Sequence, residues 1–288
     1  MMEQKTADTP DIGISPPGFD PDATFLCGQC FRWSRDEQGH WHGITGNHPV
    51  RLVPQTADTW RIVGASNDDI RRVWLPYLDW QAPYRTWQET LADGDPVMAA
   101  AIAFAPGLRL LRQDPWETLA TFLISQNNGI PRIRSIVDTL CTCFGEPLGD
   151  TFTFPSVETL AALSEETLSV CRAGYRTRYL IRAARQLAGG EVDLAAMPGM
   201  PHAEARDALL RLFGVGIKVA DCALLFSGSH REAFPVDRWV IRVMNALYPA
   251  AGKDPAAIRQ YAADRWGALA GLAQEYLFHY ARMHSVGL

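Results

Sequence analysis

The spacing of hydrophobic positions changes once along the 288-residue chain. Between Thr24 and Gly64 the apolar residues fall in short runs: TFLCGQCFRW (24–33), HWHGI (40–44), VRLVP (50–54) and TWRIV (59–63), with Gly39, Gly46 and Pro54 between them. Runs of this length, rich in β-branched and aromatic residues, predict an antiparallel meander. Beyond about Asn67 the period lengthens, and after Pro106 it is almost wholly helical. Asp114, Pro115 and Glu117 supply a cap, a first-turn proline and a capping-box carboxylate for a helix over 116–126, which Asn127-Asn128-Gly129 stops. Pro131 opens another over 132–144, closed by Gly145. Further helices are expected over 156–163, 165–172, 176–187, 203–213, 217–226, 238–247, 255–269 and 272–284. The fold class is α+β. A flexible, proline-rich lead-in (1–22) precedes an antiparallel sheet domain with flanking helices (23–105), and a mainly helical region (106–288) follows.

Composition narrows the function classes. With 47% hydrophobic and 20% charged residues the chain is not a disordered one. Six irregularly spaced cysteines are too few for a secreted disulfide framework and point to a reducing compartment. The start MMEQKTADTPDIG has neither a basic flank nor an apolar stretch, and the longest apolar run, Val97 to Ala105, is far short of the roughly 20 residues a membrane helix needs. No leader and no membrane span are expected. A net charge of −5 argues against a uniformly basic surface, yet Arg172, Arg176, Arg178, Arg182 and Arg185 fall in one stretch with no acidic residue. The only lysines are Lys5, Lys218 and Lys253.

Residues 208–226, ALLRLFGVGIKVADCALLF, read as two apolar helices around the turn Gly214-Val215-Gly216. Such a turn is often no more than a helical hairpin, but two glycines permit close backbone approach, and the free N–H groups opening the second helix can grip a phosphate. Lys218 follows among Val215, Ile217, Val219 and Ala220. It is either a surface lysine paired with Asp221 or a desolvated amine, and an amine that loses its proton is a nucleophile. Asp237, after Pro235, suits the N-cap of the helix over 238–247 and can at the same time return to the neighbourhood of Lys218.

GVGIKVADC followed by PVD resembles the helix-hairpin-helix (HhH-GPD) glycosylase superfamily, and four further stretches resemble its 8-oxoguanine DNA glycosylase branch: GQCFRW (28–33), LRQDPWETLATFLISQNNGIPRI (111–133), AGYRTRY (173–179) and AQEYLF (273–278). They keep their order from Gly28 to Phe278. The resemblance implies a bifunctional base-excision enzyme that flips a damaged nucleotide from duplex DNA, since a stacked base is out of reach. By the same resemblance Lys218 is the nucleophile that displaces the base and forms a Schiff base, after which β-elimination nicks the strand. Asp237 assists it. Gly28 accepts the N7 hydrogen that distinguishes 8-oxoguanine from guanine, Gln274 reads the Watson–Crick edge, and Cys222 and Phe278 sandwich the purine. Asn127 fills the gap in the duplex, Tyr175 is the wedge, and Arg132 and Arg176 donate to the opposite cytosine, which predicts a preference for that base.

Read without the resemblance, Asn127 is a helix cap, Phe278 and Cys222 are core, and the arginines lie on a solvated face. The chain departs from the family in Phe213, where proline usually precedes the first glycine, and in Arg238-Trp239, where vertebrate members place a histidine. Cys27-Gly28-Gln29-Cys30 lacks a second ligand pair, no terminal four-cysteine cluster is present, and His40, His42, His279 and His284 read as surface or alternation histidines, so no metal is expected. No cofactor is required, although the resemblance allows a monovalent cation at the carbonyls of 211–216. The expected partner is damaged double-stranded DNA, bound by a monomer in the nucleoid-containing cytoplasm of a bacterium or the nucleus of a eukaryote. Competing readings are a noncatalytic DNA-binding hairpin module and a monofunctional glycosylase for alkylated bases, which would need Asp237 but not Lys218.

Overall fold

A computed structural model describes residues 13–14, 18–56 and 59–286. The lead-in expected over 1–22 therefore lies in large part outside the described residues. The described residues open with β1 (Gly13–Ile14) and α1 (Pro21–Leu26), followed by β2 (Trp33–Arg35), β3 (Trp41–Thr45), β4 (His48–Thr56) and β5 (Thr59–Val63). These strands form one antiparallel sheet in the order β1-β5-β4-β3-β2. Next come α2 (Asn67–Asp69), a π-helical turn Ile70–Trp74, α3 (Leu75–Tyr77), α4 (Tyr84–Ala92) and α5 (Pro96–Phe104). The helical region then runs through α6 (Pro115–Ser125), α7 (Ile130–Phe144), the short pair β6 (Pro147–Leu148) and β7 (Thr151–Phe152), α8 (Val157–Ala162), α9 (Glu165–Leu168), α10 (Arg176–Ala188), α11 (His202–Leu210), α12 (Ile217–Phe226), α13 (Arg238–Leu247), α14 (Pro255–Trp266) and α15 (Ala270–Met283). Among the described residues no helix is long and apolar enough to cross a membrane.

The meander over 40–63 matches the alternation of its sequence, but the strand expected over 24–33 is corrected. Asp20 caps Ala23 N at 3.1 Å and Pro21 occupies the first turn, so the segment enters a helix. Strand pairing begins only at Trp33. The helix signal lay in two residues just ahead of the alternating run, and a satisfied cap outweighs a period that local tertiary contacts do not use.

Two apolar clusters divide the molecule. One packs Phe25, Trp33, Trp41 and Trp74 between the sheet and the 67–78 helical turns. Phe25 and Trp33 stack with centroids 3.8 Å apart, and Trp33 Nε1 donates to Tyr77 Oη at 2.9 Å. The other cluster contains α4, α5 and the helices after them, with Leu119, Leu123, Leu180, Leu224 and Leu272 at its centre. Helix α5 thus packs against α15, and α4 packs against α5 and reaches α15 through the Gln88–Tyr276 hydrogen bond.

Gly43 sits opposite Trp33 in the β2–β3 ladder, and a Cβ at Gly43 would fall 2.4 Å from the indole ring. Backbone pairing leaves neither side room to move. Gly43→Ala is expected to destabilise the protein by about 3 kcal/mol, seen as a lowered urea midpoint. An unchanged midpoint would contradict this packing.

Candidate active site

Helix α12 organises the site. Its N-cap Gly216 has an extended backbone and no capping side chain, so the first N–H groups of the helix lack a side-chain acceptor. Two residues earlier Gly214 has φ +86°, and a Cβ there would lie 2.5 Å from Tyr179 Cγ. The turn therefore needs glycine for both conformation and space. Val215 N donates to Leu212 O at 3.1 Å, and Gln126 Nε2 donates to Gly214 O at 3.2 Å, which ties the turn to the end of α6. Arg182 and Arg178 lie over the Phe213 ring at 4.1 and 5.7 Å, placing two cations beside the hairpin.

From Val219 to Phe226 every residue of α12 is buried, which fixes the helix in the core and holds Lys218 at its edge. The amine is half-buried, donates to Ser125 Oγ at 3.2 Å and lies 5.0 Å from the Phe122 ring centroid. Asp237 caps α13, its Oδ1 accepting from Val240 N at 2.8 Å. That bond orients the carboxylate and satisfies the first turn of the helix. Lys218 and Asp237 face one cleft of about 620 Å³, mouth included, without forming an ion pair with each other. The alternative pairing of Lys218 with Asp221 is not made: Asp221 is fully buried beside His202 and Arg206.

Gly28, Cys222, Gln274 and Phe278 line the same cleft. Gly28 has φ +111°, and a Cβ there would come within 3.3 Å of Ile130 Cδ1 and 3.7 Å of Phe278 Cε1. Its orientation is fixed from both sides. Arg282 donates to Leu26 O at 2.9 Å and to Cys27 O at 3.1 Å, while Gln113 Nε2 donates to Gln29 O at 2.8 Å. Burial is the main cause that pushes the Cys222 thiol up to about 12 and the Cys27 thiol well above its ordinary range, so both are neutral groups. All six cysteines are free, and Cys27 and Cys30 are buried apart from any third ligand. Among the described residues no group of three or more His, Cys, Asp or Glu side chains is arranged to hold a metal ion.

A second group of predicted residues gathers at the α6–α7 corner. Asn127 takes a left-handed conformation, φ +52°, and its Nδ2 donates to Tyr175 Oη at 3.1 Å. Tyr175 is about half exposed. Arg132 is exposed and donates to Arg172 O at 3.3 Å. Arg176 departs from expectation, because its guanidinium is buried rather than on a solvated face. It donates through Nε to Gln126 O at 2.6 Å and through Nη2 to the same oxygen, and its Nη1 donates to Ala173 O at 3.1 Å. In this conformation Arg176 holds the peptide preceding Asn127. The neighbouring Asn128 lines the cleft, so the corner forms part of its rim. Of the other arginines in that run, Arg185 is taken up by the carbonyls of Ala161 and Leu163 at the end of α8.

Sequence reasoning did not single out Ser125, Phe122 or Glu275. Ser125 and Phe122 lie on the helix whose end was read correctly, and their spacing from Asn127 placed them near the corner. Glu275 is a carboxylate inside the apolar run AQEYLF, itself a signal of a buried polar group. It is 2% exposed, and burial pushes its carboxyl up to about 7. His279, expected at the surface, is also buried, whereas His40 and His42 both bind Asp36 Oδ2, at 3.1 and 2.8 Å.

Comparison with known proteins gives a consistent result. Residues 11–119 match the family described as 8-oxoguanine DNA glycosylase, N-terminal domain, and residues 120–268 match the HhH-GPD superfamily base excision DNA repair protein. The chain is 32% identical over 275 residues to N-glycosylase/DNA lyase OGG1 of Arabidopsis thaliana, covering 88% of this chain and 75% of that protein. It is 34% identical over 200 residues to a probable N-glycosylase/DNA lyase of Methanothermobacter thermautotrophicus, covering 61% of this chain and 64% of that relative, just under two thirds of its length. Among solved structures, Clostridium acetobutylicum 8-oxoguanine glycosylase/lyase in complex with double-stranded DNA containing cytosine opposite 8-oxoG has a TM-score of 0.89 at 33% identity, covering 96% of this chain and 99% of that one.

The buried carboxyl of Glu275 links the cleft to stability. The folded state keeps its proton up to about 7, whereas an ordinary glutamate releases it near 4.5. Its contribution is therefore fully present below about pH 4.5 and is lost as pH rises to about 7. Glu275→Gln is expected to remove up to about 3 kcal/mol of that fall, so that urea midpoints at low and neutral pH draw closer together than in the wild type. Parallel pH dependences in the two proteins would contradict it.

Proposed function

The chain belongs to the HhH-GPD superfamily of base excision DNA repair proteins, and from that premise we propose that it is a DNA glycosylase and lyase that removes 8-oxoguanine from duplex DNA. The observation that carries the proposal is the convergence of Lys218 and Asp237 on one cleft with Gly28, Cys222, Gln274 and Phe278. Four chain segments far apart in sequence supply these six residues. A noncatalytic hairpin module has no need for an amine and a carboxylate inside a cavity.

In this reading the hairpin turn and the free N–H groups opening α12 take a DNA phosphate, with Arg178 and Arg182 adding positive charge beside it. Tyr175 and Asn127 enter the duplex where the lesion leaves it. Arg132 donates to the opposite cytosine, and Arg176 joins it only by releasing Gln126 O; until then it keeps the corner in shape. The extruded purine stacks between Phe278 and Cys222, whose neutral thiol presents no charge to the base. Gln274, 5% exposed and with Oε1 lacking a donor, has an acceptor ready for the Watson–Crick edge. Gly28 offers its carbonyl to N7–H.

The unprotonated amine of Lys218 attacks C1′ of the sugar, the bond from C1′ to the base nitrogen breaks, and the base leaves with that electron pair. Asp237 stabilises the positive charge developing on the sugar. Opening of the sugar ring gives a Schiff base, loss of a C2′ proton expels the 3′ phosphate, and hydrolysis frees the lysine. One amine thus performs both steps. A monovalent cation at the hairpin would share carbonyls that already accept hydrogen bonds, those of Arg211, Leu212 and Gly214. The setting is wherever the cell keeps its DNA, the cytoplasm of a bacterium or the nucleus of a eukaryote.

Borohydride should trap a covalent complex between the protein and a duplex carrying 8-oxoguanine opposite cytosine. Lys218→Gln should abolish trapping, and trapping that survives this change contradicts the assignment. Base release should be fastest opposite cytosine, and Arg132→Ala should cut that preference about tenfold, as expected for lost donors to one base. Equal rates opposite all four bases in the wild type would remove the role given to the corner.

A further inference from the structure

We infer that Glu275 determines specificity in the cleft by donating a hydrogen bond to the 6-oxo group of the extruded purine, which selects a guanine-type ring over an adenine-type one. The inference rests on the reading of Gly28 and Gln274 given above. Glu275 lines the cleft, is 2% exposed, and its Oε1 has no hydrogen-bond partner. A buried carboxyl oxygen without a partner is costly, and a ligand that supplies one recovers that cost. Its position identifies the ligand atom. Glu275 follows Gln274 on α15 and lies against Cys27, the residue before Gly28. In a purine whose N7 edge meets Gly28 and whose N1 edge meets Gln274, the atom between those two edges is the substituent on C6.

The chemistry of the carboxyl fits an oxygen there. Its proton is held up to about 7, so it presents an O–H, whereas a carboxylate would only accept and would repel O6. The groups facing it do not reverse this. Cys27 and Cys30, from the segment between α1 and β2, are thiols kept protonated by burial, as is Cys222 of α12. The hydrogen bond with Cys27 and the charge of Arg282 on its own helix favour ionisation, but burial outweighs both. The side chains of Lys218 and Asp237 face it across the cleft. An adenine-type ring offers only N–H donors at C6: these can reach the carbonyl oxygen of the carboxyl but leave its O–H without an acceptor there.

The test is single-turnover base release by the full chain from duplexes carrying 8-oxoguanine or 8-oxoadenine, each opposite cytosine, at about pH 6 and about pH 8.5, either side of the carboxyl's titration. Steps common to both substrates cancel in the ratio of rates. The wild-type ratio should favour 8-oxoguanine by about tenfold or more at the lower pH and shrink at the higher one. Glu275→Leu should give the small ratio at both, and Glu275→Gln, whose amide donates but cannot ionise, the large ratio at both. A Leu variant that keeps the wild-type ratio overturns the inference. Should that variant fail to fold, a wild-type ratio that does not change with pH overturns it instead. Failure of the wild type to release 8-oxoguanine at all overturns the parent reading, and with it this one, and is distinguishable from either result.

Discussion

A buried amide, that of Gln29, lies at the centre of the contacts that fasten the amino-terminal segment to the helical body, and the cleft depends on them. Gln29 is 1% exposed; its Nε2 donates to Thr24 O at 3.0 Å and Arg109 O at 2.7 Å, and its Oε1 accepts from Leu111 N at 2.8 Å. Gln113 then takes Gln29 O, and Arg282 takes the two carbonyls before Gly28. Loss of any one partner would leave a buried polar group unpaired at about 1–3 kcal/mol, so the network holds one geometry or none. Gly28 is thereby presented to Phe278 and α15 although 250 residues separate them in the chain.

The opposite wall has a different physical origin. Helix α12 is buried along almost its whole length, which leaves Lys218 at its first turn as the point where core meets cleft, with Ser125 and Phe122 of α6 beneath the amine. Asp237 reaches the cleft because its helix needs a cap there. In the proposed mechanism, structural and chemical roles coincide in these two residues. The carboxylate is held by the bond that begins α13, and the amine by the packing that buries α12.

Much of this was legible in the sequence because the signals were local. Gly216 and Asp237 mark the starts of α12 and α13, and both helices span the residues expected of them. The strand read over 24–33 failed because alternation is a weak signal when a capped proline turn precedes it. The burial of Arg176 was invisible for another reason: an arginine in a basic run reads as solvated, and only the folded corner supplies the Gln126 and Ala173 carbonyls that take it inside. Glu275 was passed over because its neighbours Gln274 and Phe278 carried the resemblance. A carboxyl buried within such a run is a tertiary fact, since among the groups around it is Cys27 from the far end of the chain.

The central claim is that the amine on α12 is the group that bonds to the sugar. Reductive trapping on a lesion duplex, followed by proteolysis and mass-spectrometric mapping of the modified peptide, reads this directly. The account predicts the sugar remnant on Lys218 alone. A remnant on Lys5, on Lys253 or on the terminal amine, with Lys218 unmodified, would contradict it.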